Sequence, residues 1–294
     1  MIEQFIHSPV EEIRDPLFVK KGIRVFVKRD DMLHPFISGN KWRKLKYILP
    51  EARRLNKNHL VTFGGAYSNH LLATACAAAK FGFKSSGVVR GEKVHNNVLM
   101  LCKIFGMDLL YLDREAYRDK RSFFNSSFKN DPDAFFIDEG GAGELAVKGC
   151  SELADELSES YDHVFCAAGT GTTAAGIIIG LQNQYPDTIP HVVPVLKGGD
   201  FLKADIGKST SLPFKNHTDY HFGGYAKSTP ELLLFIKNFC AATGILIEPV
   251  YTGKMFFAIY DLIGKDVFSA GSKILAVHTG GLSGILGMSR KFTF

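Results

Sequence analysis

Two open α/β units, each a twisted parallel sheet with helices on both faces, are the fold that this 294-residue sequence predicts. Strand-like and helix-like runs alternate along most of the chain, the pattern of parallel strands joined by crossover helices. The alternation comes as two separate series, and at roughly 150 residues per domain the length suits two domains. Hydrophobic residues make up 46% of the chain and charged ones 22%, enough apolar material for a sizeable core.

The first series opens with the apolar strand Arg24-Val25-Phe26-Val27, followed by a basic, periodic helix over 42–55. A β-rich run over 59–63 ends in Gly64-Gly65, and an Ala-rich helix over 71–81 comes next. Strands over 84–90 and 108–112 flank a helix over 96–105. The second series starts with a helix over 142–160 and continues through a strand over 163–168, a helix over 172–185 and a strand over 191–196. Helices over 230–243 and 254–263 and a strand over 273–278 complete it. Residues 197–229 are polar, glycine-bearing and poorly periodic, and receive no assignment. The expected division is a large unit of residues 1–44 and 144–294, with a small α/β unit of 45–143 inserted into it.

Net charge is +5, with basic residues spread out except for a local concentration over 43–54, which is no nucleic-acid signature. No apolar run approaches the roughly 18 residues that span a bilayer. The run Met1-Ile2-Glu3-Gln4-Phe5-Ile6-His7 lacks a basic region followed by an apolar one, so no signal peptide is expected. Cys76, Cys102, Cys150, Cys166 and Cys240 show no C-x-x-C spacing and read as free thiols in a reducing compartment. A cytoplasmic protein is expected, without nucleic-acid or membrane partners.

Lys41 closes the run Phe36-Ile37-Ser38-Gly39-Asn40-Lys41, after Lys28-Arg29-Asp30-Asp31 and before the basic helix. A lysine on the first turn of a helix meets the positive end of the helix dipole. That field and partial burial both favour the neutral amine, and a neutral amine condenses with an aldehyde. The plain alternative makes Lys41 one solvated cation among Lys41-Trp42-Arg43-Lys44-Leu45-Lys46, since charge runs on helices usually face water. Its place near the junction of the two units favours a ligand, because open α/β proteins bind ligands there.

The loop Gly169-Thr170-Gly171-Thr172-Thr173 follows a strand and opens a helix. Glycines admit an anion close to the backbone, and the N–H groups at the helix start and the threonine hydroxyls donate to it, so the loop reads as a phosphate cradle. The spacing Gly169-x-Gly171-x-x-Ala174 also matches a relaxed dinucleotide fingerprint, which requires an acidic residue near the end of the next strand. Lys197-Gly198-Gly199 stands there and Asp200 arrives late. No lysine follows the glycines, which excludes a Walker loop. A smaller phosphate-bearing cofactor fits better, with a nucleotide-dependent oxidoreductase as the competing class.

A second turn, Gly64-Gly65-Ala66-Tyr67-Ser68-Asn69-His70, likewise ends a strand and opens a helix. Ser68 and Asn69 suit a helix cap; the functional reading places a substrate carboxylate in the turn and Asn69 on a ring oxygen. The turns Glu248-Pro249-Val250-Tyr251-Thr252-Gly253-Lys254 and His278-Thr279-Gly280-Gly281 each follow an apolar run and precede a helical one. Neither decides anything alone, and a tyrosine at a strand end is more often core than catalytic.

In this order the segments resemble the fold type II pyridoxal-phosphate enzymes, whose architecture is that of the tryptophan synthase β-subunit. The branch they are most similar to holds 1-aminocyclopropane-1-carboxylate deaminase and D-cysteine desulfhydrase. The likeness runs from Val25 to Gly287 through the motifs just quoted. It implies pyridoxal 5′-phosphate as cofactor, a small amino acid as substrate and a homodimer. Lys41 matches the lysine that carries the cofactor, Asn69 the residue bonded to its 3′-oxygen, and Gly169, Thr170, Gly171, Thr172 and Thr173 the phosphate loop. Ser68, Asn69 and His70 match the substrate-side turn. Tyr251 matches one active-site tyrosine and Tyr225, in Phe222-Gly223-Gly224-Tyr225, the second. The implied catalytic set is Lys41, Ser68, Tyr225 and Tyr251.

On this likeness an amino acid displaces Lys41, the freed amine takes the Cα proton, and a β-leaving group departs. D-cysteine would give sulfide, pyruvate and ammonia. 1-Aminocyclopropane-1-carboxylate has no Cα hydrogen, so its ring opening to 2-oxobutyrate and ammonia would call on Tyr251 or Tyr225. The deaminases carry a glutamate near the pyridine nitrogen after the Pro-Val-Tyr tyrosine, where this chain has Thr252. Thr279 matches a desulfhydrase threonine at that nitrogen, and His70 is desulfhydrase-like. A hydroxyl supports a weaker electron sink than a carboxylate, sufficient for expelling a thiolate. The expectation is β-elimination of the desulfhydrase type, with the deaminase reaction as alternative. Tyr67, where relatives have glutamine, and the divergent stretch 197–229 bear on the substrate more than on the cofactor.

Overall fold

The computed structural model describes residues 7–292, apart from the side chains of Ser289 and Arg290. Residues 1–6 of the run read for a signal peptide therefore lie outside the described residues. The chain begins with strand β1 (Val10–Ile13), helix α1 (Pro16–Lys21), strand β2 (Arg24–Lys28) and helix α2 (Asn40–Arg54). Next come β3 (His59–Gly65), α3 (Asn69–Phe81), β4 (Lys84–Arg90), α4 (Asn97–Ile104), β5 (Asp108–Leu112), α5 (Lys120–Ser127) and β6 (Ala134–Ile137). The rest is α6 (Glu144–Ser151), β7 (His163–Ala168), α7 (Thr172–Gln184), β8 (Ile189–Pro194), α8 (Phe201–Gly207), β9 (Lys215–Asn216), α9 (Pro230–Thr243), α10 (Thr252–Gly264) and β10 (Lys273–Val277).

The strands form two sheets, one of order β1-β2-β10-β7-β8-β9 and one of order β5-β4-β3-β6. The second sheet is parallel throughout. The first is parallel from β2 to β9 and carries β1 as an antiparallel edge. Both faces of the large sheet are covered, as alternation along its strands shows. Val25, Val27, Phe165, Ala167, Ile274 and Ala276 point into one core with α9 and α10 residues such as Phe239 and Phe256. Phe26, Val164, Cys166, Leu275 and Val277 point into the other, with Ala174 and Ile178 of α7. In the small sheet Leu60 packs with Leu45 and Leu49 of α2, and Val61, Phe63 and Val88 pack on the opposite side.

Helix boundaries follow local chemistry. Ser68 caps α3 by accepting from the Leu71 N–H, and Gly82 ends it in the left-handed conformation. Thr229 caps α9 ahead of Pro230, and Gly244 stops it. The helix expected over 142–160 ends at Ser151 instead. The chain turns there so that Leu153, Ala154 and Leu157 enter the core beneath β7 and Glu156 reaches Arg43 and Lys28. The strand expected over 191–196 runs over Ile189–Pro194. The unassigned stretch 197–229 holds α8, the two-residue β9 and a short 3-10 turn over Thr218–His221.

Every parallel strand of both sheets runs into a turn at its carboxyl end. The turns after β2, β3, β7 and β10 are four of the five motifs singled out in the sequence, the fifth being the turn at Glu248 that opens α10, and the fold brings them together, as the geometry below shows.

Candidate active site

Lys41 is the second residue of α2, which the chain enters through Gly39 at φ +60°. A β-carbon on Gly39 would fall 1.8 Å from the Thr279 carbonyl oxygen. Only glycine lets the turn after β10 press against the start of α2, where the Asn40 N–H also donates to Thr279 O at 3.3 Å. Lys41 Nζ donates to Gly140 O at 3.2 Å, and Lys44, one turn on, donates to the same oxygen at 2.8 Å. Burial, and after it the Lys44 ammonium, hold the Lys41 amine well below the usual lysine range.

The charge run is no solvent face. Arg43 and Lys44 are 4% and 1% exposed. Arg43 grips Asp30 through Nε at 2.6 Å and Nη2 at 2.8 Å, and Glu156 through Nη1 at 2.8 Å. Lys28 Nζ joins the same Glu156 at 2.7 Å. Lys28-Arg29-Asp30-Asp31 thus anchors α2 to β2, which fixes where Lys41 stands.

The phosphate-type loop spans the end of β7 and the start of α7, with Gly171 as a left-handed cap at φ +77°. The first N–H groups of such a helix have no intrahelical acceptor. Thr172 and Thr173 are buried, and the Thr173 hydroxyl accepts from Asn40 Nδ2 at 2.8 Å. The residue next to Lys41 is therefore tied to the loop. A β-carbon on Gly169 would sit 3.2 Å from the Tyr251 hydroxyl, so loop and tyrosine close on the same space. The dinucleotide reading finds no support at the end of β8, since Asp200 is exposed and six residues beyond Pro194.

Ser68 holds the α3 N-terminus, its Oγ accepting from Leu71 N at 3.3 Å. Asn69 follows, and Ser283 donates to its Oδ1 at 3.1 Å, leaving Nδ2 with hydrogens to give. A β-carbon on Gly281 would reach within 2.5 Å of that Nδ2, so the β10 turn touches Asn69 as well as Gly39. Tyr67 packs against Gly287, in the short helical stretch Leu282–Lys291, and is half exposed. His70 is buried behind the turn. Thr62 Oγ1 donates to Ile137 O at 3.1 Å and so accepts from His70 Nε2–H at 2.8 Å. The remaining Nδ1 lone pair has no partner among the described residues. Burial first, then Lys41 and Lys44, push the imidazole well below its usual range, which keeps it neutral.

Tyr251 and Tyr225 meet edge to face with ring centroids 6.0 Å apart. Burial raises both phenols; Tyr251 draws Tyr225 part of the way back and is itself raised further by Tyr225. The carboxylate of Glu248 caps α10, accepting from Val250 N at 2.6 Å, Tyr251 N at 2.7 Å and Thr252 N at 2.9 Å. Thr252 is fully buried and its hydroxyl turns toward Glu248. Sequence reasoning passed over Lys44, Gly140 and Lys254. Of these, Lys254 lay inside a quoted turn, and its signal was a cation on an apolar helix.

These donors suit a phosphate-bearing aldehyde. A lysine whose charged form burial disfavours, a glycine–threonine loop leading into a helix N-terminus, and an amide donor at Asn69 converge on one space. The class so defined is confirmed by comparison: the chain belongs to the pyridoxal-phosphate dependent enzymes, whose family model matches residues 9–280. Within it, the chain is 32% identical over 90% of its length, and 86% of the relative's, to a Pyrococcus horikoshii protein provisionally named 1-aminocyclopropane-1-carboxylate deaminase. It is 28% identical over 90% of its length, and 74% of the relative's, to the Arabidopsis thaliana bifunctional D-cysteine desulfhydrase/1-aminocyclopropane-1-carboxylate deaminase. A crystal structure of an ACC deaminase homologue superposes with a TM-score of 0.88 at 28% identity, covering 97% of this chain and 93% of that one.

Proposed function

We propose that this chain catalyses pyridoxal-phosphate-dependent β-elimination on a small amino acid, in the manner of a D-cysteine desulfhydrase: D-cysteine and water give pyruvate, ammonia and sulfide. The observation that carries the reading is the tie between Lys41 and the Gly169–Thr173 loop through Asn40 Nδ2 and Thr173 Oγ1 at 2.8 Å. Pyridoxal phosphate, when bound, supplies an aldehyde for the substrate amine and a sink for the electron pair released from Cα.

The protein groups do the rest. Gly169, Thr170, Gly171, Thr172 and Thr173 would hold the phosphate through backbone N–H and hydroxyl donors. Asn69 would donate to the cofactor's ring oxygen, and the Thr279 hydroxyl would serve its ring nitrogen. Ser68, with Asn69 and His70 in the turn it caps, would orient the substrate carboxylate. The Lys41 amine, whose charged form burial disfavours, would take the Cα proton. Tyr251, with Tyr225 as its partner, gives a proton to the departing sulfur.

Deamination of 1-aminocyclopropane-1-carboxylate is the second reading, favoured by the Pyrococcus horikoshii relative and by the tyrosine pair, which could serve ring opening. Against it stands Thr252 in place of a carboxylate, with its hydroxyl committed to Glu248.

The proposed organisation is a large unit of residues 1–44 and 144–294 with 45–143 inserted, assembled as a homodimer. A cytoplasmic setting agrees with the five unpaired cysteines, and no helix of the described residues is long and apolar enough to cross a membrane.

The test is 2-oxo acid release by cofactor-saturated protein offered D-cysteine and 1-aminocyclopropane-1-carboxylate in parallel. Pyruvate with sulfide from D-cysteine alone supports elimination. Oxobutyrate from the cyclopropane substrate moves the assignment to the deaminase, and release from neither overturns both.

A further inference from the structure

A cavity of about 620 Å³ opens beside the candidate site, at the carboxyl ends of β3, β4 and β5. Gly65 and Ala66, which begin the turn carrying Ser68 and Asn69, form one wall. Arg90, Arg114, Arg118 and Lys120 line the remainder, with Tyr117 and Glu139. Glu139 directly precedes Gly140, whose carbonyl receives Lys41 and Lys44. The cavity therefore starts where the reacting amino acid would end.

Four cations and one carboxylate leave this wall with a net charge of +3, against +5 for the whole chain. Lys120 faces Glu139 at 3.6 Å, and no ion pair restrains Arg90, Arg114 or Arg118 among the described residues. Arg90 and Lys120 lie 5.7 Å and 5.4 Å from the centre of the Tyr117 ring. That ring is 3% exposed, and burial first, then the Glu139 carboxylate beside it, raise its phenol. Arg90, Arg114 and Arg118 stand exposed around the cavity, where their guanidinium groups can bind a carboxylate, sulfonate or phosphate through paired, charge-assisted hydrogen bonds. The cavity also lies within electrostatic reach of the proposed acid–base pair, since Arg90 and Glu139 both act on Tyr225.

We propose that the Arg90, Arg114, Arg118, Lys120 and Tyr117 cavity receives a distal anionic group of the substrate, so that the preferred substrates are amino acids whose β-substituent ends in a carboxylate, sulfonate or phosphate. The inference rests on the elimination reading and names its substrate class. With S-carboxymethyl-D-cysteine the Cα proton passes to Lys41, the Cβ–S bond breaks with its electron pair on sulfur, and mercaptoacetate leaves. One water then supplies the oxygen as pyruvate and ammonia form, which balances the reaction.

The test compares S-carboxymethyl-D-cysteine with its neutral amide, S-carbamoylmethyl-D-cysteine, on cofactor-saturated protein at low salt. The two differ only in the distal charge. The acid should be favoured about tenfold or more in kcat/KM, mainly through KM, as expected for charge-assisted hydrogen bonds. That preference should shrink as salt screens the cavity. In the double variant Arg114→Glu, Arg118→Glu the acid-to-amide ratio should fall to about one or below. A wild-type ratio near one overturns the proposal, as does a ratio the variant leaves unchanged. Failure of every compound, D-cysteine included, counts against the elimination reading instead. Calorimetric titration of the same pair then decides the subsite: binding of the acid over the amide, lost in the variant, supports it, and equal binding overturns it. Inorganic phosphate that binds while the acid and amide bind alike would make this a free-anion site and overturn its assignment to substrate.

Discussion

Lys254 Nζ donates to the carbonyl of Gly224 at 2.8 Å, so a lysine three residues beyond Tyr251 holds the residue just before Tyr225. The same ammonium reaches His221 O at 2.8 Å and Val195 O at 3.2 Å. Fully buried on the first turn of α10, it pins the divergent 197–229 stretch beside the turn that carries Tyr251. This three-way clasp is what brings the two tyrosines face to edge.

Lys254→Met should break the clasp. Two buried carbonyls, those of Val195 and Gly224, and the half-buried carbonyl of His221 lose their donor, which costs about 3 kcal/mol. kcat/KM should fall through Tyr225 while cofactor affinity changes little, as absorbance titration against turnover would show. Burial pushes the Lys254 ammonium down to about 8 from 10.5, with Glu248 acting against the shift. Between those values the unfolded chain binds more protons than the folded one, so stability should rise with pH across that window. Denaturant melts from pH 8 to 10.5 should show this contribution in the wild type and its loss in the variant.

Gly39→Ala places a β-carbon against Thr279 O in a backbone conformation that side chains avoid. The turn after β10 must withdraw from α2, at a cost of about 2 kcal/mol or more. Cofactor capture should fall together with the melting temperature. A variant that melts and loads like the wild type would remove the argument that these two turns must interlock.

Lys44→Gln removes the second cause of the depressed Lys41 amine and leaves the first, burial, in place. The Lys41 pKa should rise, and a higher pH should then be needed to obtain the neutral amine. The pH midpoint of cofactor capture should move upward in the variant. A downward move, or none, would show that Lys44 does not act on Lys41 through charge.

Tyr251→Phe should lower kcat for elimination about a hundredfold, the usual worth of a positioned acid or base, while the cofactor absorbance persists. Its hydroxyl lies over Gly169, whereas Tyr225 is 48% exposed. Tyr225→Phe should therefore cost less. Equal losses in the two variants would mean that the pair acts as one unit.

Much of this was legible in the sequence, because Gly, Ser and Thr at strand ends announce turns that open helices. The strand over 84–90 and the helix over 230–243 coincide with β4 and α9, both bounded by strong local signals. Elements with little buried surface escaped. β1 buries only Ile13, and α5 has no fully buried residue, so neither shows a clear period. β6 is only four residues long. The site's long-range ties were invisible for another reason. Lys41 and Gly140 lie 99 residues apart, and Lys254 and Gly224 30. The Arg90 and Arg118 cavity forms only when separate strand ends meet. Spacing along a chain reports helix faces and turns, but does not report which distant carbonyl a lysine will reach.

The most direct measurement is borohydride reduction of the cofactor-loaded protein, followed by digestion and mass spectrometry of the modified lysine. Lys41, Lys44 and Lys254 all lie within the folded site region with amines lowered by burial, so the result discriminates. The account predicts the reduced cofactor on Lys41, and its absence from Lys41→Ala. Cofactor recovered on Lys44 or Lys254 in the wild type would contradict the placement of every group described around Lys41.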